Sequence, residues 1–124
     1  MLNLNSIMIG SENPKVLAEF YEKVLGKKPD MAEEGWYGFN AGNCFMSIGS
    51  HDKVKGKSNN PERLIMNFET KEVKKEFERI KGLGSTVVAE PYQMGEGDES
   101  AWIATFADPE GNYFQLMPPW ESEK

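Results

Sequence analysis

Apolar and polar positions along this chain change period several times, and each change marks an element. From Leu2 to Ile9 the order Leu-Asn-Leu-Asn-Ser-Ile-Met-Ile predicts a first strand. Asn13 and Pro14 then offer a helix N-cap and a first helical residue, and Val16, Leu17, Phe20, Tyr21, Val24 and Leu25 recur at three and four, giving one apolar helix face. Gly26 ends this helix as a left-handed cap. Lys27 to Glu33 reads as a loop. Gly35 to Phe39 and Cys44 to Ile48 flank Asn40-Ala-Gly-Asn43 and predict a hairpin. With Phe39 opposite Cys44, the side chains of Trp36, Gly38, Phe45 and Ser47 share one face, and Tyr37, Met46 and Ile48 the other.

The second half repeats this order. His51 to Pro61 is polar, rich in turn formers and without apolar periodicity, so it reads as a linker. Arg63 to Phe68 predicts a strand. Thr70 caps a helix with the stripe Val73, Phe77 and Ile80, ending at Gly82 and Gly84. Ser85 to Ala89 is a further strand, followed by a loop from Glu90 to Ser100. Ala101 to Met117 closes the fold as a hairpin around Asp108-Pro-Glu-Gly111. Pairing Ala107 with Asn112 puts Trp102, Ala104, Phe106, Tyr113, Gln115 and Met117 on one face, with Ile103, Thr105, Phe114 and Leu116 on the other. Gln115 is then an amide among large apolar groups and needs a partner: a ligand, a water or the fold itself. Pro118 and Pro119 break the last strand, and the tail from Glu121 to Lys124 is expected to fray.

Val16-x-x-Glu19-Phe20 recurs as Val73-x-x-Glu76-Phe77, an offset of 57 (73 − 16) that sets Ser6 against Arg63. The expectation is one domain over 1–124 with two βαβββ modules: module one about 1–50, a linker about 51–61 and module two about 62–120. The fold class is α+β, with curved mixed sheets and helices on the convex side.

Charge and composition narrow the partners. With 14 Lys and Arg against 20 Asp and Glu, the net charge of −6 leaves no basic patch for nucleic acid or an anionic membrane. Cys44 is the only cysteine, which excludes an intramolecular disulfide and a Cys-based zinc site. The first residues lack the charged-then-apolar pattern of a signal peptide, and no apolar run nears 18 residues, so a soluble cytoplasmic protein is expected. His51, the one histidine, lies in the polar linker and reads as a surface residue. Gly82-x-Gly84 follows a helix instead of opening one and is no dinucleotide fingerprint.

Phe20-Tyr-Glu-Lys-Val-Leu-Gly26 and Phe106-Ala-Asp-Pro-Glu-Gly-Asn-Tyr-Phe-Gln-Leu116 resemble two segments typical of the vicinal oxygen chelate superfamily, which includes glyoxalase I, bleomycin resistance proteins and extradiol dioxygenases. The resemblance covers essentially the whole chain and implies paired βαβββ modules. It speaks for fold far more than for function, since the superfamily spans binding proteins, lyases, isomerases and oxygenases. Metal-dependent members hold a divalent ion with four side chains, and the resemblance carries those positions onto Ser6, Ser47, Arg63 and Gln115. Two hydroxyls and an amide are poor donors, and a guanidinium repels a cation. A displaced carboxylate site from Glu34 and Glu69 is the remaining metal alternative.

Alternation from these positions completes a concave face of candidate ligand-binding residues. Met8 joins Ser6 on the first strand. Trp36 and Phe45 join Ser47 in the first hairpin. Ile65 and Asn67 follow Arg63, and Trp102, Phe106, Tyr113 and Met117 surround Gln115. An aromatic cleft with one fixed cation implies a metal-free, cofactor-free small-molecule-binding protein of the bleomycin resistance type, taking an aromatic or anionic ligand. Its rivals are a metal-dependent or acid–base lyase, isomerase or dioxygenase, and a face used only for assembly. Relatives of this kind pair about a two-fold axis, which implies a homodimer.

Overall fold

A computed structural model describes residues 1–93 and 102–119. It contains two helices and eight strands in two mixed four-stranded sheets, an α+β fold. The chain divides into two compact units, Met1–Lys57 and Ser58–Lys124.

In the first unit, β1 (Ser6–Ser11) leads into α1 (Pro14–Leu25), followed by β2 (Met31–Glu33), β3 (Trp36–Ala41) and β4 (Cys44–Ser50). The sheet order is β1-β4-β3-β2, with β1 and β4 parallel and the other pairs antiparallel. α1 buries Leu17, Ala18, Tyr21 and Val24, and the sheet answers with Phe39, Met46 and Ile48 at 1% exposure or less. These are the 3.6-period and 2-period apolar faces expected of a helix laid on one side of a sheet. Asn13 holds the N-cap position without a side-chain cap bond. The turn there is made by Ser11, whose Oγ accepts the Asn13 N–H at 2.9 Å. Gly26 closes the helix at φ 72, a conformation that costs glycine little.

The second unit opens with a 3₁₀ turn, Pro61–Arg63, and continues with β5 (Met66–Glu69), α2 (Val73–Lys81), β6 (Thr86–Gln93), β7 (Trp102–Ala107) and β8 (Tyr113–Met117). Its order, β5-β8-β7-β6, with β5 and β8 parallel, has the same pattern as the first sheet. Val73, Phe77 and Ile80 of α2 are buried on the sheet face that carries Phe106 and Phe114, and these rings stack in series. Phe77 lies 5.2 Å from Phe106, and Phe106 lies 5.5 Å from Phe114.

Several boundaries differ from the sequence reading. β1 starts at Ser6 instead of Leu2, because its residue-by-residue pairing with β4 begins at Ser6 opposite Phe45; just before it, the Asn5 carbonyl accepts the Phe45 N–H at 3.0 Å. β2, expected as loop, is a three-residue exposed edge strand too short to show alternation. Arg63 falls outside β5: Pro61 favours the tight turn, and the Arg63 N–H donates to the Asn60 carbonyl at 3.0 Å. Thr70 does not cap α2 directly. Its Oγ1 accepts the Glu72 N–H at 3.0 Å, as Ser11 does for Asn13. β6 runs past Ala89 to Gln93, accommodating Pro91 because it is an edge strand with irregular register. The loop expected from Glu90 to Ser100 lies in part, from 94 onward, outside the described residues, as does the tail from Trp120.

Both hairpin registers were displaced, with opposite consequences. In the first, Ala41 pairs with Cys44 and Phe39 with Met46, a slip of two residues that leaves every face assignment intact. In the second, Ala107 pairs with Tyr113 instead of Asn112, a slip of one. The cause is Asp108. Its carboxylate Oδ1 accepts the N–H groups of Glu110 and Asn112, both at 2.9 Å, which draws Asn112 into the loop. Trp102, Ala104 and Phe106 therefore share the α2 side with Phe114 and Leu116, while Ile103 and Thr105 join Tyr113, Gln115 and Met117 on the side away from the helix.

Candidate functional site

Within each unit the sheet buries one face under its helix, and its other face carries no helix of that unit among the described residues. In the first unit the helix-free face is set by three rows read across the strands: Ser6–Phe45–Asn40, Met8–Ser47–Gly38–Met31 and Gly10–Gly49–Trp36–Glu33. Two glycines shape it. A Cβ on Gly49 would stand 3.0 Å from Trp36 Cδ1 and 3.5 Å from Met8 Cε, and one on Gly38 would collide with the Phe45 ring and stand 2.9 Å from Trp36 Cη2. Trp36 thus lies along the sheet over both glycines, with Phe45 beside it, their ring centroids 6.2 Å apart. Both are half-buried, and Ser47 between them is 8% exposed. Neither glycine carries chemistry, and the sequence reading gave them no role. A glycine inside an otherwise aromatic strand is nevertheless the signal for such close approach.

The rim of this face is held by the chain that follows β4. Val54 Cγ2 would stand 3.0 Å from a Cβ on Gly10, and the Gly56 N–H donates to Glu12 Oε1 at 2.6 Å. The segment read as a free linker is therefore fastened to the first unit. His51 stays exposed within it, its Nδ1 accepting the Lys53 N–H at 3.1 Å.

In the second unit the helix-free face centres on the row Asn67–Gln115–Thr105–Ala89. Gln115 Nε2 donates to Thr105 Oγ1 at 3.2 Å, so the amide finds its partner within the fold. Thr105 is buried, Gln115 half-buried and Asn67 exposed, which leaves an uncharged run of hydrogen-bonding groups flanked by Tyr113 and Met117. Ile103 and Tyr92 pair next to Thr105 on the same face and were absent from the expected set.

Four expected residues stand elsewhere. Phe106 is fully buried between Phe77 and Phe114. Trp102 faces α2, with Lys74 Nζ 3.7 Å from its ring centroid. Arg63 is exposed in the 3₁₀ turn and makes no ion pair among the described residues; Ile65 lies just ahead of β5 and is half-buried. Of the expected set, Ser6, Met8, Trp36, Phe45 and Ser47 share the first helix-free face, and Asn67, Tyr113, Gln115 and Met117 the second.

A glyoxalase-like domain model matches residues 6–117, nearly the whole chain. The protein belongs to the glyoxalase-like family. Solved structures agree on the fold. A glyoxalase-related enzyme from Fulvimarina pelagi superimposes with a TM-score of 0.76 at 14% identity, covering 96% of this chain and 89% of that one. A glyoxalase/bleomycin resistance protein/dioxygenase family enzyme from Burkholderia phytofirmans PsJN gives 0.72 at 21% identity, covering 93% and 97%. The fosfomycin resistance protein FosX from Listeria monocytogenes gives 0.65 at 16% identity, covering 97% and 93%. No curated protein matches the sequence significantly.

The divalent ion of metal-dependent glyoxalase-like relatives does not fit the residues present. At the carried positions stand an exposed hydroxyl (Ser6), a hydroxyl beside an aromatic floor (Ser47), a guanidinium outside the sheet (Arg63) and an amide that offers only a neutral oxygen (Gln115). None is a carboxylate, imidazole or thiolate, the donors that hold zinc, iron or nickel. Glu34 sits in the exposed turn after β2 while Glu69 belongs to β5, and no group of three or more His, Cys, Asp or Glu among the described residues is placed to hold a metal.

Proposed function

We propose that this glyoxalase-like protein binds a small aromatic molecule on the helix-free face of its first unit, without a metal and without a cofactor. The observation that carries this reading is Trp36 laid flat over Gly38 and Gly49 with Phe45 beside it: a preformed stacking surface whose entropy cost is met on folding. Ser47, in the row with Met8 and Gly38, supplies a polar group that orients a ligand on an otherwise apolar surface. The protein is proposed to sequester its ligand as a binding protein in the cytoplasm, not to transform it, because that face holds no paired acid and base among the described residues. It is further proposed to act as a homodimer, a reading supported by Leu2, Leu4 and Leu64, which are 99%, 88% and 86% exposed on the isolated chain.

The test is a thermal-shift screen of aromatic compounds on protein treated with EDTA, together with elemental analysis of the untreated protein. Ligands that raise the Tm with EDTA present, and metal far below one ion per chain, support the reading. One equivalent of zinc, iron, nickel or manganese whose removal abolishes every shift would overturn it.

A further inference from the structure

We propose that the aromatic floor of the first unit takes a flat, polycyclic aromatic cation. The inference rests on the reading of this face as a ligand site and adds the ligand's shape and charge. Shape follows from the floor. Trp36 and Phe45 lie with ring centroids 6.2 Å apart and planes inclined by 32°, both over Gly38, so the stacking surface is wider than one ring. Met8 and Met31 stand at the two ends of the row through Ser47 and Gly38, 57% and 53% exposed. Unbranched thioethers adapt to the edges of whatever lies between them, and sulfur contacts with ring edges are favourable.

Charge follows from Glu33. It pairs directly with Trp36 across β2 and β3, which puts their Cβ atoms about 5 Å apart on one face. Glu33 is exposed and its side chain makes no ion pair or hydrogen bond among the described residues, so its carboxylate is available beside the indole. The indole face itself attracts cations through its quadrupole. The basic residues nearest in sequence to Glu33 and Trp36 are paired elsewhere. Lys27 is bound to Asp30 at 2.7 Å and Lys28 to Glu22 at 3.3 Å. Lys53 and Lys55 flank Val54, which covers Gly10, and Gly49 separates Gly10 from Trp36 in that row. The net charge of −6 further raises the concentration of cations at the surface.

The experiment is equilibrium dialysis of the full chain against two probes of one ring size, proflavine as the cation and 9-anthracenecarboxylate as the anion, at two salt concentrations. Proflavine is expected to bind about tenfold more tightly than the anion at low salt, the combined size of one cation–π contact and one exposed ion pair. Glu33→Gln should narrow that ratio about two- to fivefold, and Trp36→Ala should abolish saturable binding of the dye, which separates a stacked ligand from a dye adsorbed on an acidic surface. Circular dichroism confirms that both variants fold. Anthracenecarboxylate binding as tightly as proflavine, or a ratio unmoved by Glu33→Gln, overturns the charge assignment while leaving the ligand site standing. If neither probe binds saturably, both this inference and the ligand reading of the floor fail.

Discussion

Thr105 is 5% exposed, and its oxygen takes the Gln115 amide hydrogen, so the polar group in the last strand is answered inside the fold. Thr105→Val keeps the shape and removes the acceptor. It should cost about 1–3 kcal/mol in urea unfolding, the penalty for an unsatisfied buried group; unchanged stability would mean that Gln115 is served by solvent. Phe106 is a packing residue. Stacked between Phe77 and Phe114 with no exposed surface, it should lose about 3–5 kcal/mol as Phe106→Ala. A variant of wild-type stability would return it to the ligand face. The sequence showed that Gln115 needs a partner but not which one, because the choice between Ala104 and Thr105 hangs on one residue of register. Phe and Trp serve equally well in a core or a binding face, so identity alone could not separate Phe106 from Phe45.

At the level of elements, faces were legible wherever an error came in twos. The first hairpin slipped by two and still delivered Trp36, Phe45 and Ser47 to one face; the second slipped by one and exchanged Phe106 for Thr105. A side-chain acceptor inside a turn can shift register in this way, and composition hides it. The loop before β2 shows similar pinning. Asp30 Oδ2 accepts the Asn40 N–H and the Lys27 ammonium, both at 2.7 Å, and in that order these hold its carboxyl below the ordinary value near 3.8. A lowered carboxyl pKa stabilises the fold above the unfolded value and loses that contribution as pH falls through the folded one. Wild type should therefore melt above Asp30→Asn at pH 7, and the gap should close as the pH is taken below about 3.8; a gap that persists or widens in acid contradicts the pin. Gly38→Ala tests the floor. The new methyl group must push aside the Phe45 and Trp36 rings, at a cost of about 1–3 kcal/mol, and should weaken any aromatic ligand that wild type binds.

For the whole chain, the α+β class and the repeated strand–helix–strands order were readable, because apolar periodicity and glycine stops survive small boundary errors. The repeat offset was not. Leu17, Tyr21, Val24 and Gly26 correspond to Val73, Phe77, Ile80 and Gly82 (73 − 17 = 56), whereas Ser11 and Pro14 correspond to Thr70 and Val73 (70 − 11 = 59). α1 has 12 residues and α2 has 9, so no single offset fits, and the strand offset places Ile65, not Arg63, opposite Ser6. Arg63→Ala should accordingly leave stability within about 0.5 kcal/mol of wild type. Homodimerisation is checked by sedimentation equilibrium, where a species of twice the chain mass at tens of micromolar is expected (about the range that populates dimers of sub-micromolar Kd). A monomer throughout would remove that proposal and leave the ligand site untouched. The most direct measurement of the central claim is ¹⁹F NMR of protein labelled with 5-fluorotryptophan, which reports on its three tryptophans separately, with Trp36 assigned by Trp36→Phe. With EDTA present, a bound aromatic ligand should shift the Trp36 resonance most. Saturable binding that leaves Trp36 unmoved, or that needs a divalent ion, would contradict a metal-free aromatic floor.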